Sequence, residues 1–236
     1  MTRLYLDFTQ LCKTIALPVE ESHYLTRVLR LKVGDIVNVY NEHAGEWSTV
    51  LSDVTKSSCV ITIQRQMREP VVEPMTRLIY APLKHDAMAF LFEKATELGV
   101  THLQPMVTDF AQKYAVHADK VARQLKQASQ QSERLSVPVL LPVMTFDAVV
   151  RGGCYAEGTY IALERADVAS FAHMLADKDS SKPCTFIIGP EGGFSSREVE
   201  LVKGIPGIVQ VSLGRTVLRA ETAAIVGMGA ISMWRG

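Results

Sequence analysis

The rhythm of hydrophobic and polar positions changes once along this chain, near residue 70. Before that point the apolar runs are short. Residues 36–40 and 47–51 carry the β-branched and aromatic content of strands, and the polar, glycine-containing stretch 41–46 between them predicts a hairpin loop. Residues 59–64 predict a third strand, which alternates onward into Arg65 and Arg68. Between residues 21 and 31 the spacing is helical, with Leu25, Val28 and Leu29 expected on one face and Arg27 and Arg30 pointing elsewhere. Short strands with one helix predict a small β-barrel over 1–70.

Pro70 and Pro74 bracket a stretch that cannot continue regular structure, so 71–75 is expected to be a linker and the domain boundary. From residue 76 onward strands alternate with helices. Apolar runs at 78–81, 102–107, 160–163, 185–188 and 208–213 predict strands. Residues 86–98 predict an amphipathic helix ended by Gly99, residues 119–134 a long polar helix, and residues 220–234 a closing helix. This alternation predicts an α/β domain over 76–236 with a mostly parallel sheet.

Bulk properties narrow the picture. The 236 residues are 47% hydrophobic and 21% charged, enough apolar content for a sizeable core and too little charge for global disorder. The formal net charge is zero, so any grip on nucleic-acid phosphates must be a local basic patch. The four cysteines, Cys12, Cys59, Cys154 and Cys184, are scattered, without a C-x-x-C pair or clustered histidines, and no metal site is expected. The N-terminal residues lack a signal-peptide run, and no stretch reaches the ~18 consecutive apolar residues of a membrane helix. A cytoplasmic protein without a membrane partner is expected.

Two segments carry chemistry. In the first, Ile187 and Ile188 run into Gly189, Pro190, Glu191, Gly192, Gly193, Phe194 and Ser195, an apolar strand entering a glycine-rich turn and then a helix. Ser195 with Glu198 three residues on predicts a capping box. The glycines permit close approach of a ligand to the backbone and positive φ. Such a turn lies at the carboxyl end of a strand, where open α/β sheets bind ligands. In the second segment another strand ends at Leu213 and Gly214, and the chain passes Val217, Leu218, Arg219 and Glu221 into the last helix. Taken singly, either segment is also compatible with a plain strand-to-helix turn.

Together, G-P-E-G-G-F-S followed by L-G-R-T-V-L-R-A-E-T-A resembles the RsmE family of SPOUT methyltransferases, which modify N3 of a uridine in 16S ribosomal RNA. Residues 24–35 are similar to that family's N-terminal motif, and residues 92–100 to the first helix of its catalytic domain. The chain departs from the family's E-Q-S-G-R-x-x-V-P pattern at residues 130–138, where Glu133 replaces the glycine.

The resemblance implies a PUA-like β-barrel followed by a SPOUT domain with a C-terminal trefoil knot, acting as a homodimer. It implies S-adenosylmethionine held by Leu163, by Gly189, Pro190, Glu191 and Gly192, and by Leu213, Gly214, Val217 and Leu218. Arg219 is expected to stabilise negative charge on the uracil, and Glu221 to orient Arg219 or accept the proton. Arg3, Arg27, Arg30, Lys32, Lys84 and Arg134 are expected to meet the RNA of the small ribosomal subunit. On the closing helix Ala223, Ala224, Gly227 and Ala230 form a small-residue face suited either to a dimer interface or to packing within the domain.

Two rival readings are weighed. A Rossmann-type methyltransferase requires a glycine motif after its first strand, whereas the G-x-G here, Gly227 to Gly229, lies inside the last helix. An RNA-binding module without catalysis, or methylation at another RNA site, would use the same basic residues. Binding of S-adenosylmethionine separates the enzyme from the module.

Overall fold

The computed structural model describes residues 2–8, 12–55, 58–112, 117–152, 158–163 and 168–236. Cys154 and the residues directly after Leu163 lie outside this set. The chain divides into two compact units, Met1–Val72 with Ser129–Ser136, and Glu73–Ala128 with Val137–Gly236. The return of Ser129–Ser136 to the first unit departs from a single cut at the linker.

The first unit contains strands β1 (Thr2–Tyr5), β2 (Thr14–Ala16), β3 (Ile36–Asn41), β4 (Gly45–Val54) and β5 (Cys59–Arg68), in the order β1-β3-β4-β5-β2. β1 runs parallel to β3, and the other pairings are antiparallel. Leu4, Val37, Val39, Leu51 and Ile61 fill its core. Among the described residues β1 and β2 do not pair, so hydrogen bonding does not close the expected barrel. The β3–β4 turn is shorter than the hydropathy pattern predicts, because the Asn41 side chain builds it. Asn41 Oδ1 accepts from the amides of His43 and Ala44, and Nδ2 donates to the Leu6 and Phe8 carbonyls. Gly45 is required there: its φ is +77°, and a Cβ would fall 2.2 Å from the Arg68 carbonyl oxygen.

The helical stretch of this unit corrects the expected face. Helix α1 (Val19–His23) passes into a π-helical turn, Tyr24–Val28, in which Leu29 N donates to Tyr24 O. The wider turn shifts the phase of the side chains. Leu25 is fully buried, whereas Val28 and Leu29 are exposed. Arg30, at φ +58°, ends the turn, and Leu31 N reaches back to Leu25 O as in a Schellman cap.

The second unit is built on a parallel sheet of β6 (Thr76–Tyr80), β7 (His102–Val107), β8 (Val139–Leu140), β9 (Met144–Thr145), β10 (Thr159–Ala162), β11 (Cys184–Ile188) and β12 (Ile208–Val211). Its order is β12-β10-β11-β6-β7-β8, with β9 also on β7. The helices are α2 (His85–Glu97), α3 (Ala118–Gln131), α4 (Phe146–Arg151), α5 (Phe171–Ala176), α6 (Ser196–Lys203) and α7 (Ala220–Arg235). Alternate strand residues serve opposite faces. Leu78, Tyr80, Phe186 and Ile188 pack with Leu91, Phe171 and Met228, while Ile79, Ile161 and Ile187 pack with Phe146, Val150 and Val202. Helices therefore cover both faces. α4 and α6 are too short for periodicity to stand out, and α5 is likewise fixed by a local cap, Ser170 accepting from His173 N.

α7 comes unusually close to the sheet. A Cβ at Gly227 would lie 2.2 Å from the Phe186 ring. Ala224 is buried, and Ala223 and Ala230 pack on the same core. The small-residue face is thus spent on packing within this unit.

Candidate active site

Parallel strands β10, β11 and β12 lie side by side in the order β12-β10-β11, so their carboxyl ends bring three loops together. Described residues at these three strand ends line a cleft of about 650 Å³. Leu163 follows β10. Gly189, Pro190, Glu191 and Gly192 follow β11. Leu213, Gly214, Val217 and Leu218 follow β12, and all nine line the cleft. Arg219 joins them as the residue that opens α7, whereas Glu221 is not among the lining residues. No described hydrogen bond or ion pair links Glu221 to Arg219.

The turn after β11 is fastened from below. Ser195 caps α6 by accepting from Glu198 N, and Glu198 returns the bond to Ser195 N, the capping box its spacing predicts. Glu198 is fully buried, and its other oxygen accepts from Asp109 N at 3.0 Å. The Asp109 carboxylate accepts from Ser195 Oγ and from Arg197, which also pairs with Asp147. The Arg197 guanidinium, and after it the Ser195 hydroxyl, hold the Asp109 carboxyl below the usual carboxylate range. Asp109 carried no sequence signal, because its partners lie on α4 and α6, far along the chain.

The glycines divide between left-handed and ordinary backbone conformations. Gly193 (φ +71°) and Gly214 (φ +129°) are left-handed and have open space where a Cβ would stand. Gly189 and Gly192 are not left-handed. A Cβ at Gly189 would press on the Phe194 ring at 3.0 Å, and one at Gly192 would touch Phe110 at 3.4 Å. Packing against Phe194 favours glycine at position 189, whereas a Cβ at position 192 would make only an ordinary contact with Phe110.

The residues present fit an adenosine carrying a charged tail. Leu163, Leu213 and Leu218 are half-buried, and Val217 is 57% exposed, an apolar side chain left for a ligand to cover. The glycines leave main-chain groups accessible between these apolar walls, a usual composition for a small-molecule site. Arg215, Lys203 and Gln210 also line the cleft. Lys203 and Gln210 had no sequence signal, because they reach the site only through the placement of β12 outside β10. Among the described residues no three His, Cys, Asp or Glu side chains group as metal ligands, and no helix is long and apolar enough to cross a membrane.

The residues expected to meet RNA are dispersed. Arg27, Arg30 and Lys32 are exposed on the first unit without a described ion pair, among the exposed apolar side chains of Val28, Val33 and Ile36. Arg3 and Arg134 require correction. The Arg3 side chain is 9% exposed and pairs with Glu46 at 2.9 Å, because the strand position of Arg3 points it into the unit. Arg134 is also 9% exposed and donates to Ser136 Oγ. Neither presents its guanidinium to a phosphate. Lys84 is exposed at the start of α2, on a second, smaller cavity of the other unit.

Comparison with known proteins agrees with this geometry. Residues 72–232 match the family described as RNA methyltransferase domain, and residues 17–64 match the RNA methyltransferase PUA domain. The chain is 30% identical over 226 residues to the ribosomal RNA small subunit methyltransferase E of Synechocystis sp., covering 93% of this chain and 73% of that protein. It is 29% identical to the protein of the same name from Rickettsia conorii, covering 89% and 86%. Among solved structures, the ribosomal RNA small subunit methyltransferase E of Neisseria gonorrhoeae, bound to S-adenosyl methionine, is 26% identical. It superposes with a TM-score of 0.81 over 99% of this chain and 97% of that one.

Proposed function

Because this chain belongs to the RNA methyltransferase family, we propose that it methylates N3 of a uridine in 16S ribosomal RNA, using S-adenosylmethionine as donor. One observation carries the reading: Leu163 at the end of β10 and the turns after β11 and β12 line a single cleft whose edge holds Arg219. When bound, S-adenosylmethionine supplies a methyl group on a cationic sulfur. Leu163, Leu213, Val217 and Leu218 give that cofactor its apolar walls, and the glycine turn gives it main-chain partners.

Uracil N3 carries a proton and is a poor nucleophile until it is lost. Removing it leaves negative charge on the ring carbonyls, which the Arg219 guanidinium stabilises in this reading. Glu221 is the candidate to orient Arg219 or to accept the proton, and Glu191, the carboxylate that lines the cleft, joins it. The target base must leave its stack to reach them. Arg27, Arg30 and Lys32 hold phosphates of the same RNA on the first unit, and Lys84 does so on the second.

Two architectural readings accompany the activity. β12 lies outside β10, and α7 then returns to pack against β6, β11 and α2. The residues leading out of β12 also pair with the chain entering α5, Ser212 N to Ala169 O and Phe171 N to Ser212 O. A chain that crosses back over its own connection in this way supports a trefoil knot. A homodimer is supported by the outward stripe of α7, where Val226 and the 80% exposed Met233 stand in line with Thr222 and Gly229. The protein acts in the cytoplasm, on ribosomal subunits.

The test is methyl transfer from labelled S-adenosylmethionine into small-subunit particles, followed by mass spectrometry of the nucleosides. N3-methyluridine is expected. Arg219→Ala should lower kcat by roughly 10²–10³ while RNA affinity changes much less. No incorporation by the wild-type protein, with no S-adenosylmethionine-dependent rise in Tm, would favour an RNA-binding module.

A further inference from the structure

The carboxyl edge of the parallel sheet carries a second concavity. Beyond the cofactor cleft the strand order continues to β6 and β7. Described residues after these two strands, Pro82 to His85 and Gln112, with the first turns of α2 and α3, line a cavity of about 340 Å³. The floor is apolar and buried, made of Leu83, Met88, Phe92 and Val121. The rim is basic, with Lys84, His85, His117 and Lys120 all exposed. No acidic side chain lines it among the described residues; Asp86, beside His85, points outward and is fully exposed. At the rim His85 Nε2 and Lys120 Nζ lie 2.9 Å apart, and His85 Nδ1 lies 3.3 Å from Asp86 Oδ1. Gln124 closes the inner wall, its amide donating to the Ala89 carbonyl.

We propose that this cavity is a nucleotide subsite for the RNA strand. One base enters against the Met88–Phe92 floor, and its phosphate is held by Lys84 and Lys120. The inference rests on the reading of the protein as an RNA methyltransferase and adds to it where the strand runs beside the target. Three features argue for a nucleotide rather than a free anion or an apolar ligand. The volume matches a single nucleoside, the floor offers a base an apolar surface, and the cations stand only on the rim, where a phosphate remains partly hydrated. Position is the fourth. Phe110, from the segment after β7, lies beside Gly192 of the cofactor loop, and both concavities sit at the carboxyl edge of the same sheet, on neighbouring strands β11 and β6. Phe110 is 55% exposed at that edge.

The double variant Lys84→Ala/Lys120→Ala removes two exposed charges and the exposed Lys120–His85 contact, and should fold normally. In the small-subunit methylation assay it should raise KM for RNA about tenfold while S-adenosylmethionine affinity is unchanged. The slope of log K against log salt for a single-stranded RNA should fall by about 0.7 for the phosphate released. Val121→Trp, which fills the floor without touching charge, should raise KM and leave the salt slope intact. Lys178→Ala, an exposed lysine elsewhere on the unit, should change neither. An unchanged KM and slope in the double variant, with wild-type protein active, would overturn the subsite alone. A wild-type protein that binds S-adenosylmethionine but methylates no RNA would overturn the reading beneath it. Equal weakening of uridine monophosphate and inorganic phosphate in the double variant, with no effect of Val121→Trp, would reduce the site to an anion contact and overturn the base pocket.

Discussion

Two groups of arginines in the first unit meet opposite conditions. Arg3 and Arg68 converge on one carboxylate: Glu46 accepts from Arg3 at 2.9 Å, from Arg68 at 2.7 Å and from Asn38 at 3.0 Å. Their remaining donors reach the carbonyls of Gln130 and Glu133, and Arg3 stacks on the Tyr40 ring. Arg27 and Arg30 have no such acid and stand in solvent. The Arg3 guanidinium, drawn out of water, needs a full set of partners, and Arg68, still 41% exposed, shares its acid, so both are engaged in holding Ser129–Ser136 on their unit. Only the second is available for phosphates. Residue type does not decide this. Strand register turns Arg3 inward, and the π-turn and left-handed Arg30 turn the others outward.

The sharpest way to break this contrast is to remove the shared acid. Glu46 is 7% exposed, so Glu46→Gln leaves two guanidinium groups with no counter-charge and should cost about 3 kcal/mol of stability. Thermal unfolding checks it, and a loss below about 0.5 kcal/mol would make the network ornamental. The same residue gives a pH signature. Burial pushes its carboxyl up, but hydrogen bonds from Arg3 and Asn38 and the charges of Arg3 and Arg68 outweigh that and hold it below the ordinary 4.5. The stabilisation is therefore complete above the ordinary value and lost as pH falls through the lower, folded one. Glu46→Gln should remove that part of the acid sensitivity.

Arg27→Ala/Arg30→Ala should do the reverse. Stability should stay within about 0.5 kcal/mol of wild type, because neither side chain has a described partner to lose. RNA affinity should fall about tenfold, and the salt slope should flatten by roughly 1.4 if both arginines hold single-stranded phosphates. Filter binding across salt concentrations reads both. A double variant that unfolds early but keeps its salt slope would invert the comparison.

What the sequence made legible follows from how local each signal is. The cofactor loops each begin at a strand end and carry their own glycines and caps, so Gly189 to Gly192 and Leu213 to Leu218 could be read in place, and the structure brings them to one cleft. The capping box at Ser195 and Glu198 is likewise a four-residue object. The burial of Arg3 left no local mark because the acid and carbonyls it meets lie 43 to 130 residues away, and nothing in the spacing marks Arg134 as buried. The face of Leu25 was half legible, since a π-turn leaves no mark on hydrophobic spacing. Strand order was not legible at all, and with it went Asp109, Lys203 and the second cavity.

The smallest expected effect lies inside the clamped segment itself. Glu133 replaces the glycine of the family's pattern, yet the backbone there keeps a left-handed conformation, φ +57°. A side chain with a Cβ pays roughly 1–2 kcal/mol to stand in that region, which glycine enters freely. The unfolded glycine chain loses more entropy on folding, which offsets part of the gain. The Glu133 carbonyl, not its carboxylate, accepts from Arg3 and Arg68, so Glu133→Gly leaves the clamp's hydrogen bonds in place. The net expectation is a stabilisation of about 0.5–1 kcal/mol, a rise of roughly 1–4 °C in Tm for a protein of this size. The same change in Glu46→Gln, where the clamp is already broken, should have a smaller effect, because Glu133 is then no longer held to one conformation. A full, additive gain in both backgrounds would show that the left-handed turn forms independently of Arg3 and Arg68, and the two arginine groups would then differ in burial alone.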